Sequence, residues 1–255
     1  PRCGRLRLHR RMSLSDEELD RYARQIVLRD VGGPGQMKIR AAKMLVIGAG
    51  GIGSPAIQYL AAAGVGALTI VDDDVVSLSN LQRQVLFTTE DVGGSKAELA
   101  AKQVRAINPN VSVTAVNERI TSENAPDLLR NMDVVLDGSD NFKTRLAVAD
   151  AANAARVPLI SAAIGQFHGQ LGTFRGWEAD KPCYRCFVGD AHDAEDCDNC
   201  ADLGVLGAMV GMMPILSRPA MAPLAARARA CWCRSRSRRR CWRSCGDASR
   251  RCGSA

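Results

Sequence analysis

Apolar positions along residues 14–213 follow two rhythms, short solid runs and spaced stripes. Solid runs at Lys43 to Ile47, Ala67 to Val71, Val134 to Leu136 and Val157 to Ile160 read as buried strands, and Val111 to Val116 alternates as a further one. Between them, helical spacing is predicted over about 55–63, 96–107, 124–130 and 142–155, with Gly64 stopping the first of these and Pro109 following the second. Gln170 to Phe174 is expected to begin an antiparallel strand. Strands alternating with helices predict an α/β, Rossmann-like, mostly parallel sheet covered by helices on both faces. No internal repeat is present.

Ahead of this alternation lies an arm. Ser15 and Glu18 have capping-box spacing, and Leu19, Tyr22, Ala23, Ile26 and Val27 follow as one apolar face. Arg21, Arg24 and Gln25 fall away from its centre. The cluster Gly32-Gly33-Pro34-Gly35 is expected to end the arm. The longest uncharged stretch, Met44 to Val71, has the length of a bilayer span. Six glycines and Pro55 interrupt it, so it reads as several short elements and no membrane role is expected.

Composition changes the picture at the two ends. The chain has 255 residues, 46% apolar and 24% charged, which is ordinary for a globular protein and excludes a fibrous or mainly disordered one. Its net charge of +7 is misleading. Residues 1–11 hold five arginines and no acid, and residues 214–255 hold eleven arginines and only Asp247. Removing those 16 bases and one acid from 34 and 27 leaves 18 bases and 26 acids in residues 12–213. The body is therefore acidic, and a nucleic-acid partner is not expected of it. The chain divides as an atypical leader (1–11), a main domain (12–213) and an atypical basic tail (214–255), which has no period that could bury a face.

The chemistry gathers at predicted strand ends. Gly48-Ala49-Gly50-Gly51-Ile52-Gly53 is a G-x-G-x-x-G loop between a strand and a helix, where backbone turns tightly and free N–H groups meet phosphate. Asp72 ends the next strand nineteen residues after Gly53, the usual place for an acid on ribose hydroxyls. The motif indicates a nucleotide without saying which. Lys96 starts a helix, where a cation opposes the dipole, so it reads either as a bound-anion partner or as a solvated surface lysine. Asp137-Gly138-Ser139-Asp140-Asn141 closes another strand, with Asp140 either a helix N-cap or a metal-facing acid. His9, His168 and His192 form no recognisable triad or metal motif. That shortage weighs against an NAD(P)-dependent oxidoreductase, which remains the second class of reading.

In order along the chain stand Arg21-Tyr22-Ala23-Arg24-Gln25-Ile26, the glycine loop, Asp72 to Asp74, Ser79-Asn80-Leu81-Gln82-Arg83-Gln84, Lys96, Ser139-Asp140-Asn141 and Pro182-Cys183-Tyr184-Arg185-Cys186. Together, from about Leu14 to Met213, they resemble the MoeB/ThiF/HesA family, relatives of ubiquitin-activating enzymes. The resemblance implies ATP- and magnesium-dependent adenylation of the C-terminal glycine of a ubiquitin-like sulfur-carrier protein. It assigns ATP binding to Gly48, Gly50, Gly51, Gly53, Asp72, Asp74, Asn80, Arg83, Gln84, Lys96, Asp140 and Asn141. The same resemblance implies that Asp140 would hold magnesium and that the catalytic set would be Arg24, Arg83, Lys96, Asp140 and Cys200, with Arg24 reaching the partner's site in a cytoplasmic homodimer. The pathway favoured is molybdopterin synthesis, with thiamin thiazole synthesis as the alternative.

The resemblance also implies that Cys183 and Cys186 are two ligands of a structural zinc, completed in the family by a later C-x-x-C that this chain does not show. Cys197-x-x-Cys200 has the spacing to complete such a site. Cys200 equally matches a family cysteine that joins sulfur transfer in some members, or is a bystander. The family's crossover helix and last strands give way here to the arginine-rich tail, so the sheet is expected to be incomplete at its C-terminal end. Residues after about Met213 read as out of frame, and residues 1–11 as leader ahead of a start at Met12. The competing reading is a genuine basic segment that binds RNA or acidic membranes.

Overall fold

The computed structural model describes residues 14–165, 168–189 and Gly207. The leader, the tail, Cys197, Cys200, His9 and His192 lie outside the described residues, as does the side chain of His168. Among the described residues no helix is long and apolar enough to cross a membrane. The elements run α1 (Asp16–Arg21), α2 (Ala23–Ile26), α3 (Gly32–Ala41), β1 (Lys43–Ile47), α4 (Gly53–Ala63), β2 (Ala67–Val71), α5 (Lys96–Ile107), β3 (Ser112–Val116), α6 (Ala125–Leu128), β4 (Val134–Asp137), α7 (Phe142–Ala155), β5 (Leu159–Gly165), β6 (His168–Phe174) and α8 (Tyr184–Val188). Short 3-10 turns at Leu78–Asn80 and Thr89–Asp91 interrupt the long β2–α5 connection.

The six strands form one sheet in the order β3-β2-β1-β4-β5-β6. All neighbours are parallel except β5 and β6, which pair antiparallel from Leu159↔Phe174 to Gly165↔His168. The solid apolar runs follow from burial on both faces. Met44, Leu45 and Val46 are all fully buried, with Met44 and Val46 in a core built against α4 and α5, and Leu45 in the opposite core against α6 and α7. Each such side chain contributes roughly 1.5–3 kcal/mol on leaving water. Chain order runs outward from β1 to β2 and β3 on one side and from β4 to β5 on the other. A crevice therefore opens beyond the carboxyl ends of β1 and β4, where open α/β sheets bind ligands.

The expected helix over 142–155 and the strands over 43–47 and 67–71 are present with the expected bounds. The arm departs from expectation. It is two short helices broken at Tyr22, whose backbone leaves the helical region (φ −101°, ψ 9°). Tyr22 is 1% exposed and its hydroxyl accepts from Asn108 Nδ2 at 2.8 Å, so the ring is driven inward while Leu19 and Val27 stay exposed. Gly32 to Gly35 begin a helix rather than end one. Pro34 falls in its first turn, where a missing N–H costs little, and the tertiary contacts of Ile39 and Gln36 outweigh poor propensity. Gln36 is buried and donates to the Ala63 carbonyl at 2.9 Å, and Gln25 donates to the same oxygen at 3.2 Å, tying the arm to the end of α4. That helix stops at Gly64 as expected, in the left-handed region (φ 80°) and against the Tyr22 ring.

Candidate functional site

A cavity of about 990 Å³ lies over the carboxyl edge of the sheet. Its floor is the glycine loop. Gly48 N–H extends the β1–β2 ladder to the Val71 carbonyl at 2.9 Å, and the chain then turns at φ 82° into α4. Gly53 opens that helix so close to Gly48 that a Cβ on it would lie 1.8 Å from the Gly48 carbonyl oxygen. Only glycine lets strand and helix meet there, so Gly50, Gly51 and Ile52 line the crevice at the start of an eleven-residue helix whose Ser54 N–H is already bonded to the Gly50 carbonyl.

Asp72 stands beside the loop at the end of β2. One of its carboxylate oxygens accepts the Ala49 N–H at 2.7 Å and the other the Asp74 N–H at 2.9 Å. Burial raises the Asp72 pKa, opposed by these two amide bonds and by the Lys96 charge. Lys96, the first residue of α5, is buried, and its Nζ lies 2.8 Å from Asp74 Oδ2. The solvated-lysine reading is thus overturned. The β2–α5 connection folds back so that Lys96 N–H meets the Asp74 carbonyl at 3.0 Å, which carries the ammonium under the cavity rim.

The same connection places Asn80, Arg83 and Gln84. Asn80 Oδ1 accepts the Ser77 N–H at 3.3 Å, and Arg83 Nη1 donates to the Ser79 carbonyl at 3.1 Å. Gln84 is 3% exposed, lies near Gly50, and leaves its buried Oε1 without a partner among the described residues. Across the crevice, the segment after β4 supplies Asp140 and Asn141. Asn141, not Asp140, is the N-cap of α7, accepting the Thr144 N–H at 3.0 Å. Asp140 is exposed on the cavity wall and takes no hydrogen bond or ion pair among the described residues. Beneath it, Asp137 is fully buried at the end of β4, and Arg145 reaches from α7 toward the same turn.

Gly48, Gly50, Gly51, Asp72, Asp74, Asn80, Arg83, Gln84, Lys96, Asp140 and Asn141 therefore share one cavity, and Gly53 shapes it from behind. Arg24 and the two described cysteines do not line it. Arg24 is exposed on α2 with no ion pair or hydrogen bond among the described residues. Cys183 caps α8, with its Sγ 2.8 Å from that of Cys186. Among the described residues no group of three or more metal-binding side chains forms. Sequence reading missed Arg145 and the bonds that Asp137 Oδ1 accepts from the Ser139 N–H and hydroxyl, although an aspartate two residues before a serine at a strand end is a recognisable local signal.

The family model described as the ThiF family matches residues 22–217. The chain belongs to this family. It is 51% identical over 178 residues to the sulfur carrier protein adenylyltransferase of Thermus thermophilus, covering 69% of this chain and 66% of that one. It is 48% identical over 180 residues to the SAMP-activating enzyme E1 of Haloferax volcanii, covering 71% and 66%. The sulfur carrier protein ThiS adenylyltransferase of Escherichia coli is 44% identical over 178 residues, covering 69% and 70%. This ThiF-family chain thus spans just under two thirds of the first two relatives. Among solved structures, PaaA superposes with a TM-score of 0.67 at 24% identity, covering 84% of this chain and 68% of that one, and E. coli MccB with succinimide with 0.69 at 22%, covering 80% and 63%. These two support the fold alone.

Proposed function

We propose that this protein adenylates the C-terminal glycine of a ubiquitin-like sulfur-carrier protein with ATP. The observation that carries the reading is one cavity combining a glycine loop on a helix N-terminus, Asp72, the cations Arg83 and Lys96, and the unpartnered carboxylate of Asp140. The names of its relatives, sulfur-carrier adenylyltransferases, supply the substrate class. A dinucleotide oxidoreductase shares the glycine loop and the acid, but its hydride chemistry gives no role to the free Asp140 carboxylate across the crevice.

The chemistry suits these residues. A terminal carboxylate has a pKa of about 3.3–3.7, so the nucleophile is ionised at neutral pH and needs no general base. Its oxygen bonds to the α-phosphorus while the bond from that phosphorus to the bridging oxygen breaks, and pyrophosphate leaves with the electron pair. Gly51 and its neighbours offer N–H groups to phosphate, Asp72 faces the ribose, and Asn80, Arg83 and Lys96 neutralise the departing charge. Asp140 is a hard oxygen donor with its lone pairs free. That fits Mg²⁺, which is commonly bound through one or two carboxylates plus substrate phosphates and supplies charge neutralisation there. Cys183 and Cys186 suit half of a tetrahedral zinc set, and no step depends on them.

Arg24 completes the reading as a residue donated to the partner's cavity in a homodimer. Its exposure and its absence from its own cavity support that role. An ATP-consuming reaction and a C-x-x-C pair read as metal chemistry suit the cytoplasm. The pathway proposed is molybdopterin synthesis, with thiamin thiazole synthesis second.

The test is to incubate the protein with ATP and either a molybdopterin-type or a thiamin-type carrier and weigh the carrier. One added AMP, lost in Arg83→Ala, is expected. No mass change with either carrier refutes the proposal. For the dimer, mixing inactive Arg24→Ala and Arg83→Ala chains restores activity in about a quarter of sites if Arg24 acts across the interface, and in none if it acts within its own chain.

A further inference from the structure

We infer that Asp137 and Arg145 are positioning residues that clamp the Ser139 peptide from opposite sides and so fix where Asp140 presents its carboxylate. The inference rests on the adenylation reading and extends it to two side chains with no place in the ATP-binding set. Asp137 Oδ1 accepts both the Ser139 N–H, at 3.0 Å, and the Ser139 hydroxyl, at 2.7 Å. From the other side, Arg145 Nη2 donates to the Ser139 carbonyl. All three polar groups of Ser139, the residue just before Asp140, are therefore held.

The two holders sit on rigid elements. Asp137 is the last residue of β4, in register between Ile47 of β1 and Ser161 of β5. Arg145 lies in the second turn of the fourteen-residue helix α7 and is 8% exposed. Neither position suits a charged side chain on stability grounds alone. Asp137 is completely buried, and its Oδ2 has no partner among the described residues. An apolar residue would fill the end of a buried strand without that desolvation cost.

The clamp also sets the width of the crevice. Gly138 N–H bonds the Ile47 carbonyl at 3.0 Å, and the Gly138 carbonyl oxygen lies 3.3 Å from where a Cβ on Gly48 would stand. The Asp140 wall thus abuts the glycine floor through one turn whose next peptide is the clamped one. If that peptide is released, Asp140 moves relative to the phosphate cradle while the cradle itself is unchanged. Positioning errors of this kind lower turnover without removing affinity.

Four proteins separate this role from a merely structural one: wild type, Asp137→Leu, Arg145→Met and Asp137→Asn. The asparagine keeps an oxygen that can accept both Ser139 bonds. Expected for Asp137→Leu and Arg145→Met is a kcat for carrier-dependent ATP–pyrophosphate exchange reduced about tenfold to a hundredfold. Their Kd for ATP, measured directly, should stay within about threefold of wild type. Deuterium exchange at the amides of residues 139–141 should quicken in both, and Asp137→Asn should recover most of kcat and protection. Wild-type turnover in Asp137→Leu overturns the clamp, as does an Asp137→Asn no better than Asp137→Leu. Equal losses of kcat, ATP affinity and folded fraction in both disabling variants also overturn it. A wild type with no exchange toward any carrier overturns the adenylation reading instead, and amide protection across the four proteins then decides the clamp by itself.

Discussion

Replacing Lys96 with methionine separates binding from folding in this site. The ammonium sits 2.8 Å from Asp74 Oδ2, with the lysine side chain 7% exposed and Asp74 62% exposed. Because Asp74 is mostly in water, the pair contributes at most what exposed pairs do, about 0–1 kcal/mol. Lys96 is also the first residue of α5, where a positive charge opposes the helix dipole by roughly 0.3–1 kcal/mol. The two effects have opposite sign and similar size, and methionine keeps the buried stem. Urea unfolding should therefore place Lys96→Met within about 1 kcal/mol of wild type. On the proposed function, binding would lose a charge-assisted hydrogen bond to phosphate that nothing replaces, worth about 1.5–3 kcal/mol. Since 1.4 kcal/mol is a factor of ten, Kd for ATP should rise roughly tenfold to a hundredfold by calorimetry. An unchanged Kd, or a stability loss above about 2 kcal/mol, refutes the assignment of Lys96 to phosphate and makes it a structural residue.

Other consequences are equally direct. Gly53→Ala places a Cβ 1.8 Å from the Gly48 carbonyl oxygen, so ATP binding should disappear and stability fall by about 1–3 kcal/mol or more, read by calorimetry and thermal unfolding. Tyr22→Phe removes the buried bond from Asn108 Nδ2, which still donates to the Ala61 carbonyl, so unfolding should cost only about 0.5–1.5 kcal/mol. Asp137 has its pKa raised by burial above an ordinary value of 3.8, with the Arg145 charge and the Ser139 bonds opposing. A raised carboxyl pKa stabilises the fold fully below the unfolded value, and that stability is lost as pH climbs through the folded one. The stability of Asp137→Asn in urea should therefore improve relative to wild type as pH rises above the ordinary carboxyl value of 3.8. A shift in the wild type's favour as pH rises would show the Arg145 charge and the Ser139 bonds outweighing burial.

How much of this was legible beforehand depended on whether the cause was local. The glycine loop, Asp72 and the strand runs were readable because backbone turning and two-sided burial write themselves into adjacent residues. The arm was not. Its periodicity named Leu19 and Val27 as core alongside Tyr22, yet only Tyr22 is buried, because its partners are Asn108 and Gly64, far along the chain. The helix at Gly32 was hidden for the same reason. Three glycines and a proline carry no helical signal, and the contact of Gln36 with Ala63 supplies what propensity lacks.

Lys96 and Asp140 show how the structure decides between readings that a sequence leaves open. Both stood at helix starts, where a residue can serve the helix or a ligand. Lys96 opposes the dipole of its helix, and the fold still buries it. Asp140 could have capped α7, but Asn141 holds the cap and leaves the carboxylate free. In each case the helix is served by a neighbour, Ser95 accepting from Glu98 N–H for α5 and Asn141 from Thr144 N–H for α7. The charged residue is thereby spared for the crevice. A site built this way has its capping and its chemistry on adjacent residues, so substitution of Ser95 is expected to act mainly on α5 and those of Lys96 and Asp140 mainly on the ligand, while Asn141 both caps α7 and lines the cavity. That division predicts that the glycine floor, the cation rim and the acid wall respond separately to mutation even though they share one cavity.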